Sequence, residues 1–220
     1  MAPFKDRFDA GIKLSEVIDI PKNSVVFAIP RGGVPIGYAI SLSKRIPFDI
    51  VVVRKLPIPF NPEAGFGSIT IDGKVILNPN FEYLFSQIPI DTIAREVLEE
   101  VKRRDFLYRK NAPYKSLEGK TAIVVDDGFA SGYTAIAAYE FLKKLNPDKI
   151  IAMAPVCPTD TRKLLERYFD EVYCLIENDK KPFAVASFYE DFHDLRDEEV
   201  LAIINDLKEK NLLWSEYEEN

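Results

Sequence analysis

"VVDDGFASGYTA", residues 124–135, sets two adjacent carboxylates, Asp126 and Asp127, at the end of an apolar run and follows them with small residues leading into a helical pattern. Small residues after a strand let the backbone turn sharply, so the free N–H groups of the turn and of the first helical turn converge on one point. A helix N-terminus binds phosphate through such groups and through the positive end of its dipole. Ser131 and Thr134 add hydroxyls, Gly128 and Gly132 permit close approach, and Phe129 and Ala130 complete the turn. Two carboxylates beside a phosphate repel it unless they face something else. The vicinal hydroxyls of a sugar, or a Mg2+ shared with it, are suitable partners. The combination points to a sugar phosphate; an acidic strand end with a helix cap is the plainer alternative.

The surroundings of this stretch give the fold class. Continuous Val- and Ile-rich runs recur at 25–29, 48–55, 121–125, 149–155 and 171–176, as suits strands covered on both faces. Helical patterns lie at 34–45, 90–110, 133–145, 159–168 and 196–209. Such alternation predicts a doubly wound, mainly parallel α/β sheet with right-handed crossovers, whose ligands sit beyond the carboxyl ends of the strands. "GFGSITI" (65–71) and "KVILN" (74–78), joined at Asp72-Gly73, predict a β-hairpin. The Pro-rich "PIPFNP" (57–62) before it reads as irregular, so the region 56–78 is expected to form a flap over the ligand face. One domain is expected over 1–220: a core at about 20–178, a small hood at 179–195 with the N-terminal segment, and a C-terminal helix at 196–220.

Composition narrows the function classes. The 220 residues carry a net charge of −6, which argues against a broad nucleic-acid partner. No apolar run approaches a membrane span, and "MAPFKDRFDAG" lacks the apolar stretch of a signal peptide, so a cytoplasmic protein with no membrane partner is expected. Cys157 and Cys174 are too few and too far apart for a metal cluster and read as two buried thiols. The stretch at 124–135 lacks the Lys and spacing of a Walker A loop, and "GFGSIT" lacks the third glycine of a dinucleotide fingerprint.

Two further stretches are candidates for an anion. "AIPRGGVPIGYAI" (28–40) also joins an apolar strand to a helix; Gly32 and Gly33 open the backbone, and Arg31 brings a fork of donors matched to phosphate oxygens. Arg54 and Lys55 end the next strand and point toward the same face; a solvated strand terminus is the alternative.

Residues 122–134, "AIVVDDGFASGYT", resemble the phosphoribosyl pyrophosphate (PRPP) motif of type I phosphoribosyltransferases. "DRFDAG", "AIPRGGVPIGYAI", "VVVRK", "NPEAGFGSI", "VVDDGFASG" and "PFAVASFYEDFHDLRDEEV", in order over about residues 4–200, are together similar to the predicted phosphoribosyltransferase subfamily of bacteria and archaea. The resemblance implies that Asp126 and Asp127 hold the ribose hydroxyls and meet Mg2+ indirectly, through PRPP and water. It assigns the 5-phosphate to Gly128 through Gly132 and Thr134, and pyrophosphate to Arg31, Gly32 and Gly33, with Arg54 and Lys55 as weaker matches. Catalysis would fall to Asp126, Asp127 and Arg31. Ser131 replaces the usual threonine and keeps its hydroxyl. Ala130 stands where relatives acting on 6-oxopurines usually carry aspartate, and adenine-using relatives also have alanine there.

The resemblance further implies a nucleobase-like acceptor under an aromatic hood, for which Phe183, Phe188 and Tyr189 are candidates, and a place in nucleotide metabolism. Glu63 and His193 are left between site and surface roles. Family members are often homodimers; the amphipathic 90–110 segment could serve such contact or face solvent. The tail is expected to dock through Leu212, Leu213 and Trp214 or to fray. A PRPP-sensing regulator on the same fold and a different sugar-phosphate enzyme are the competing readings.

Overall fold

The computed structural model describes residues 1–217. Five strands, β1 (Ser24–Ala28), β2 (Phe48–Ile50), β6 (Thr121–Val125), β7 (Lys149–Cys157) and β8 (Glu171–Glu177), form a sheet of order β2-β1-β6-β7-β8 with every pairing parallel. β6 shows why the apolar runs are continuous. Ile123 and Val125 enter one core, whereas Ala122 and Val124 enter the other. Helices α1 (Arg7–Val17), α2 (Gly33–Lys44) and α6 (Asp197–Glu209) cover the first face, with α3 (Ile90–Arg109) adding Ile93 and Val101. α4 (Tyr133–Leu142) and α5 (Thr159–Leu165) cover the second. This is the doubly wound α/β arrangement.

A second, antiparallel sheet has the order β3-β4-β5, from β3 (Val53–Ile58), β4 (Asn61–Thr70) and β5 (Val75–Leu77). It corrects two expectations. The run 48–55 is not one strand: β2 pairs with β1, and after Val51 and Val52 the chain leaves to pair with β4 as β3. Residues 51–53 stay buried through the bend, so hydrophobicity does not mark it. Nor is 57–62 irregular throughout. Pro57 lies one residue before the end of β3, where the register shifts, and Pro62 is the second residue of β4. An edge strand and a bulge are where a sheet tolerates proline. The hairpin turn at Asp72-Gly73 is tied to the α4 region by the Lys74–Glu140 and Lys144–Asp72 ion pairs. At the opposite end of this sheet Phe60 is exposed.

Helix α1 was not legible from periodicity. Asp6 caps it by accepting from the Asp9 N–H at 2.8 Å, and Ala10 and Leu14 are fully buried. The N-terminal segment joins the 179–195 region: Phe4 donates its N–H to the Phe188 carbonyl at 3.1 Å and accepts from Glu190 at 2.9 Å.

The cysteines are not two thiols; Cys157 and Cys174 form a disulfide between β7 and β8. The crossover through α5 places these strands side by side, so a separation of 17 residues becomes a lateral contact. The C-terminal helix is shorter than expected and ends at Glu209. Beyond it the tail docks by backbone, with Phe48 N–H bonded to the Leu212 carbonyl (2.7 Å) and Trp214 N–H to that of Phe48 (2.8 Å). Glu218, Glu219 and Asn220 lie outside the described residues.

The docked tail closes a buried ionic network. Arg109, at the end of α3, donates to the Asp49 carboxylate at 2.9 and 3.4 Å and to Asp105 at 3.0 Å, with both Arg109 and Asp49 0% exposed. The Ser215 and Tyr217 hydroxyls also donate to Asp49, and the guanidinium lies 3.5 Å from the Tyr114 ring centroid. Each charge thus has several partners, the condition for holding an ion pair away from water. Among the described residues no helix is long and apolar enough to cross a membrane.

Candidate functional site

The parallel register pairs Ala28 with Val125, so the loops after β1 and β6 emerge together at the carboxyl edge of the sheet. Ile29 N–H bonds to the Val125 carbonyl at 3.0 Å, and Gly33 N–H to that of Ile29 at 2.9 Å, which turns the chain into α2. The first loop then lies against the acid pair. A Cβ on Gly32 would stand 2.1 Å from Asp127 Oδ2, and one on Gly33 would stand 2.5 Å from the Val125 carbonyl oxygen. Only glycine allows this approach. Gly32→Ala should therefore shift the loop or the carboxylate and lower stability by about 1–3 kcal/mol. Urea unfolding reads this, and an unchanged midpoint would contradict the contact.

The two acids have different partners. Asp127 Oδ2 accepts from Arg7 Nε at 2.9 Å, and its backbone carbonyl accepts from the Tyr189 hydroxyl at 2.6 Å. Arg7 is itself buried. It donates to the His193 carbonyl at 2.9 Å and lies 3.9 Å from the Phe192 ring centroid. Asp126 accepts from the Asp127 N–H at 2.8 Å, and among the described residues no basic side chain pairs with it. Burial, reinforced by the neighbouring carboxylate, holds Asp126 well above the usual carboxylate range. Burial also raises Asp127, against the opposing pull of Arg7.

The turn that follows is open in its middle. Ala130 and Ser131 are exposed, and Gly132, at φ +84°, leads into α4 in a left-handed conformation suited to glycine. Thr161 Oγ1 donates to the Ala130 carbonyl at 2.5 Å, and the Ser131 hydroxyl oxygen accepts from the Tyr133 N–H at 3.5 Å. Gly128 has a different use: a Cβ there would meet Val185 at 2.7 Å, so this glycine admits the hood. Phe129 is buried in the core and bonds through its N–H to Val156.

The profile of the phosphoribosyl transferase domain matches residues 81–192, a span that contains the acid pair and the turn. The chain belongs to the phosphoribosyltransferase family. Proteins from two strains of Mycobacterium tuberculosis, provisionally named phosphoribosyl transferases, are 36% identical over 209 residues, 93% of this chain. The chain spans about half the length of these curated relatives, 47%. A crystal structure of a protein from Thermus thermophilus superposes with a TM-score of 0.72 at 28% identity, covering 92% of this chain and 98% of that one.

In this member of the family the other expected residues are placed as follows. Arg31 is about one-third exposed; it donates to the Leu195 carbonyl at 2.9 Å and lies 3.3 Å from both the Tyr108 hydroxyl and Asp197 Oδ1. Arg54 pairs with Glu100 at 3.2 Å, and Lys55 donates to the Glu63 carbonyl at 2.6 Å. Burial, then the charge of Arg104, depresses the Arg54 pKa, with Arg31 and Arg103 adding to the effect. These arginines form a cationic cluster held by Glu100 and Asp197. A cleft of about 410 Å³ beside it is lined by Arg54, Lys55, Pro57, Pro62, Glu96, Val97 and Glu100. The Glu63 side chain is exposed.

Of the hood aromatics, Phe188 and Tyr189 are buried against the core, with the Tyr189 ring 5.4 Å from Phe4 and 5.0 Å from Phe192. This corrects their candidacy as a stacking surface, because each ring is already covered. Phe183 is half-buried, 5.7 Å from Phe188. His193 is exposed and bridges Asp191 (2.9 Å) and Glu199 (2.8 Å), which raise its pKa. Arg7 was missed in the sequence except as part of an unassigned matching block.

Among the described residues no group of three or more His, Cys, Asp or Glu side chains could hold a metal ion. Mg2+ commonly keeps several waters and takes one or two carboxylates together with substrate oxygens. Asp126 and the second oxygen of Asp127 fit an ion that arrives on a diphosphate.

Proposed function

We propose that the chain transfers the 5-phosphoribosyl group of PRPP to a nitrogen acceptor, a nucleobase or a similar ring, with release of pyrophosphate. One observation carries this reading above the rest: Gly32 brings the Arg-Gly-Gly loop into contact with the Asp127 carboxylate. A ribose held at the acids therefore has its C1 substituent beside Arg31, Gly32 and Gly33. Asp126 and Asp127 accept from the ribose 2′ and 3′ hydroxyls, and the turn at 128–134 receives the 5-phosphate on its N–H groups and on Ser131 and Thr134. Arg31, with Arg54 and Lys55 as second contributors, meets the pyrophosphate.

The bond from C1 to the pyrophosphate oxygen breaks with its electron pair leaving on oxygen, and a bond from C1 to the acceptor nitrogen forms on the opposite face. Charge gathers on the leaving group as the sugar becomes oxocarbenium-like, so stabilisation must be stronger in the transition state than in bound PRPP. Arg31 suits that need, because a diphosphate offers its fork several charged oxygens at once, against the carbonyl, the hydroxyl and the single Asp197 carboxylate that it meets here. Mg2+, when bound with PRPP, neutralises part of the diphosphate charge. Closure of the β3–β4 end of the small sheet, where Phe60 is exposed, would keep water from C1. Phe183 is the hood ring with surface left to face an acceptor.

A PRPP-sensing role without catalysis is the second reading, favoured by the engagement of Arg31, Arg54 and Lys55 with protein acceptors. Pyrophosphate release from Mg-PRPP across a panel of purines, pyrimidines and other nitrogen acceptors separates the two. Release with one acceptor class is the expected outcome; binding without release under every acceptor would favour sensing.

A further inference from the structure

We propose that Arg7 is a positioning residue of the site: it fixes the Asp127 carboxylate against the Arg-Gly-Gly loop and divides the labour of the acid pair, leaving Asp126, held among the described residues only by the Asp127 N–H, as the freer acceptor. This inference rests on the reading that the pair binds PRPP.

Three observations support it. Arg7 is 120 residues from Asp127 in sequence yet donates Nε to Oδ2 at 2.9 Å, with both side chains largely buried at 8% and 15% exposure. A charge-assisted bond so shielded from water is stronger than its surface counterpart. Second, the same Oδ2 is the atom that would meet a Cβ on Gly32 at 2.1 Å, so the oxygen held by Arg7 is also the one packed on the loop. Third, Arg7 is held from its other side by the His193 carbonyl and the Phe192 ring. Helix α1 and the hood thereby meet the acid pair through one guanidinium.

The charged and titratable groups facing Asp127 are Arg7 from α1, Asp126 from its own loop and Tyr189 from the hood, whose hydroxyl is bonded to the Asp127 carbonyl. The 31–33 loop presents only backbone to it. Asp191 adds a more distant negative charge toward Arg7. Removing Arg7 takes away the cation that holds Oδ2, so the carboxylate is no longer fixed against the loop.

The test is calorimetric binding of Mg-PRPP, and of Mg-pyrophosphate alone, to wild type, Arg7→Gln and Arg7→Lys. Arg7→Gln is expected to bind Mg-PRPP about ten- to a hundredfold more weakly. Its binding of Mg-pyrophosphate, which has no ribose hydroxyls for the acids to hold, should stay at the wild-type level. Arg7→Lys should recover only part of the Mg-PRPP affinity, because ammonium replaces charge but not the planar fork. A merely structural role would lower the melting temperature of Arg7→Gln and weaken both ligands alike, and that result would overturn the inference. Wild-type protein that fails to bind Mg-PRPP would overturn the underlying reading as well. Should Arg7→Gln not fold, Arg7→Lys decides: a loss confined to Mg-PRPP is expected, and an equal loss of both ligands would contradict the proposal.

Discussion

Asp126→Asn is expected to slow pyrophosphate release from Mg-PRPP by about two to three orders of magnitude while leaving the melting temperature at neutral pH equal to or above that of wild type. The two halves of this result have one cause. Asp126 sits beside another carboxylate, without a basic side chain paired to it among the described residues, and burial pushes its pKa well up. An acid whose folded-state pKa exceeds its unfolded value binds an extra proton in the native state. Stability is then highest at low pH and falls as pH rises from the unfolded value through the folded one. The charge that would grip a ribose hydroxyl thus destabilises the empty protein, and an amide relieves that cost while giving up the grip. Asp127→Asn should reduce turnover similarly but be less stable than Asp126→Asn, because the relief of a raised pKa is offset by a buried Arg7 left facing a neutral amide. Melting curves and pyrophosphate release on the two single variants test the difference. Equal stability changes in both would contradict the asymmetry.

The largest stability effect is expected at Arg109. Arg109→Met leaves the fully buried Asp49 with only the hydroxyls of Ser215 and Tyr217 as side-chain donors, at a cost of about 3–5 kcal/mol. A domain is stable by about 5–15 kcal/mol in total, so the loss is a large fraction of what holds the chain folded. Replacing Asp49 with leucine in the same chain should recover part of it, since the fully buried carboxylate is removed and only Asp105 is left without its arginine. Chemical unfolding of the single and double variants measures this. A double variant less stable than Arg109→Met alone would show that the network contributes through more than charge compensation.

The parallel sheet was legible because β1, β6 and β7 bury residues on both faces, and such strands are written as unbroken apolar runs. The same property hid the bend after β2: Val51, Val52 and Val53 are buried whichever sheet they serve, so the pattern does not name the pairing partner. Helix α1 escaped because its inward face includes Arg7 and Ser15 alongside Ala10 and Leu14, which dilutes the apolar period. The loops of the candidate site carry local signatures, small residues and charges at fixed offsets, which makes them legible as candidates. Arg7 has no such signature, since what marks it is a partner in another part of the chain. The disulfide has the same character, being written in the topology rather than in the spacing of Cys157 and Cys174. The resemblance to the family implies a stacking hood, but only the packing distinguishes the covered rings of Phe188 and Tyr189 from the half-buried Phe183.

The most direct test of the account is a crystal structure of the protein soaked with PRPP and Mg2+. The account predicts ribose hydroxyls at Asp126 and Asp127, the 5-phosphate in the 128–134 turn, and pyrophosphate against Arg31, Gly32 and Gly33. PRPP bound elsewhere, or an empty turn at saturating concentration, would contradict it.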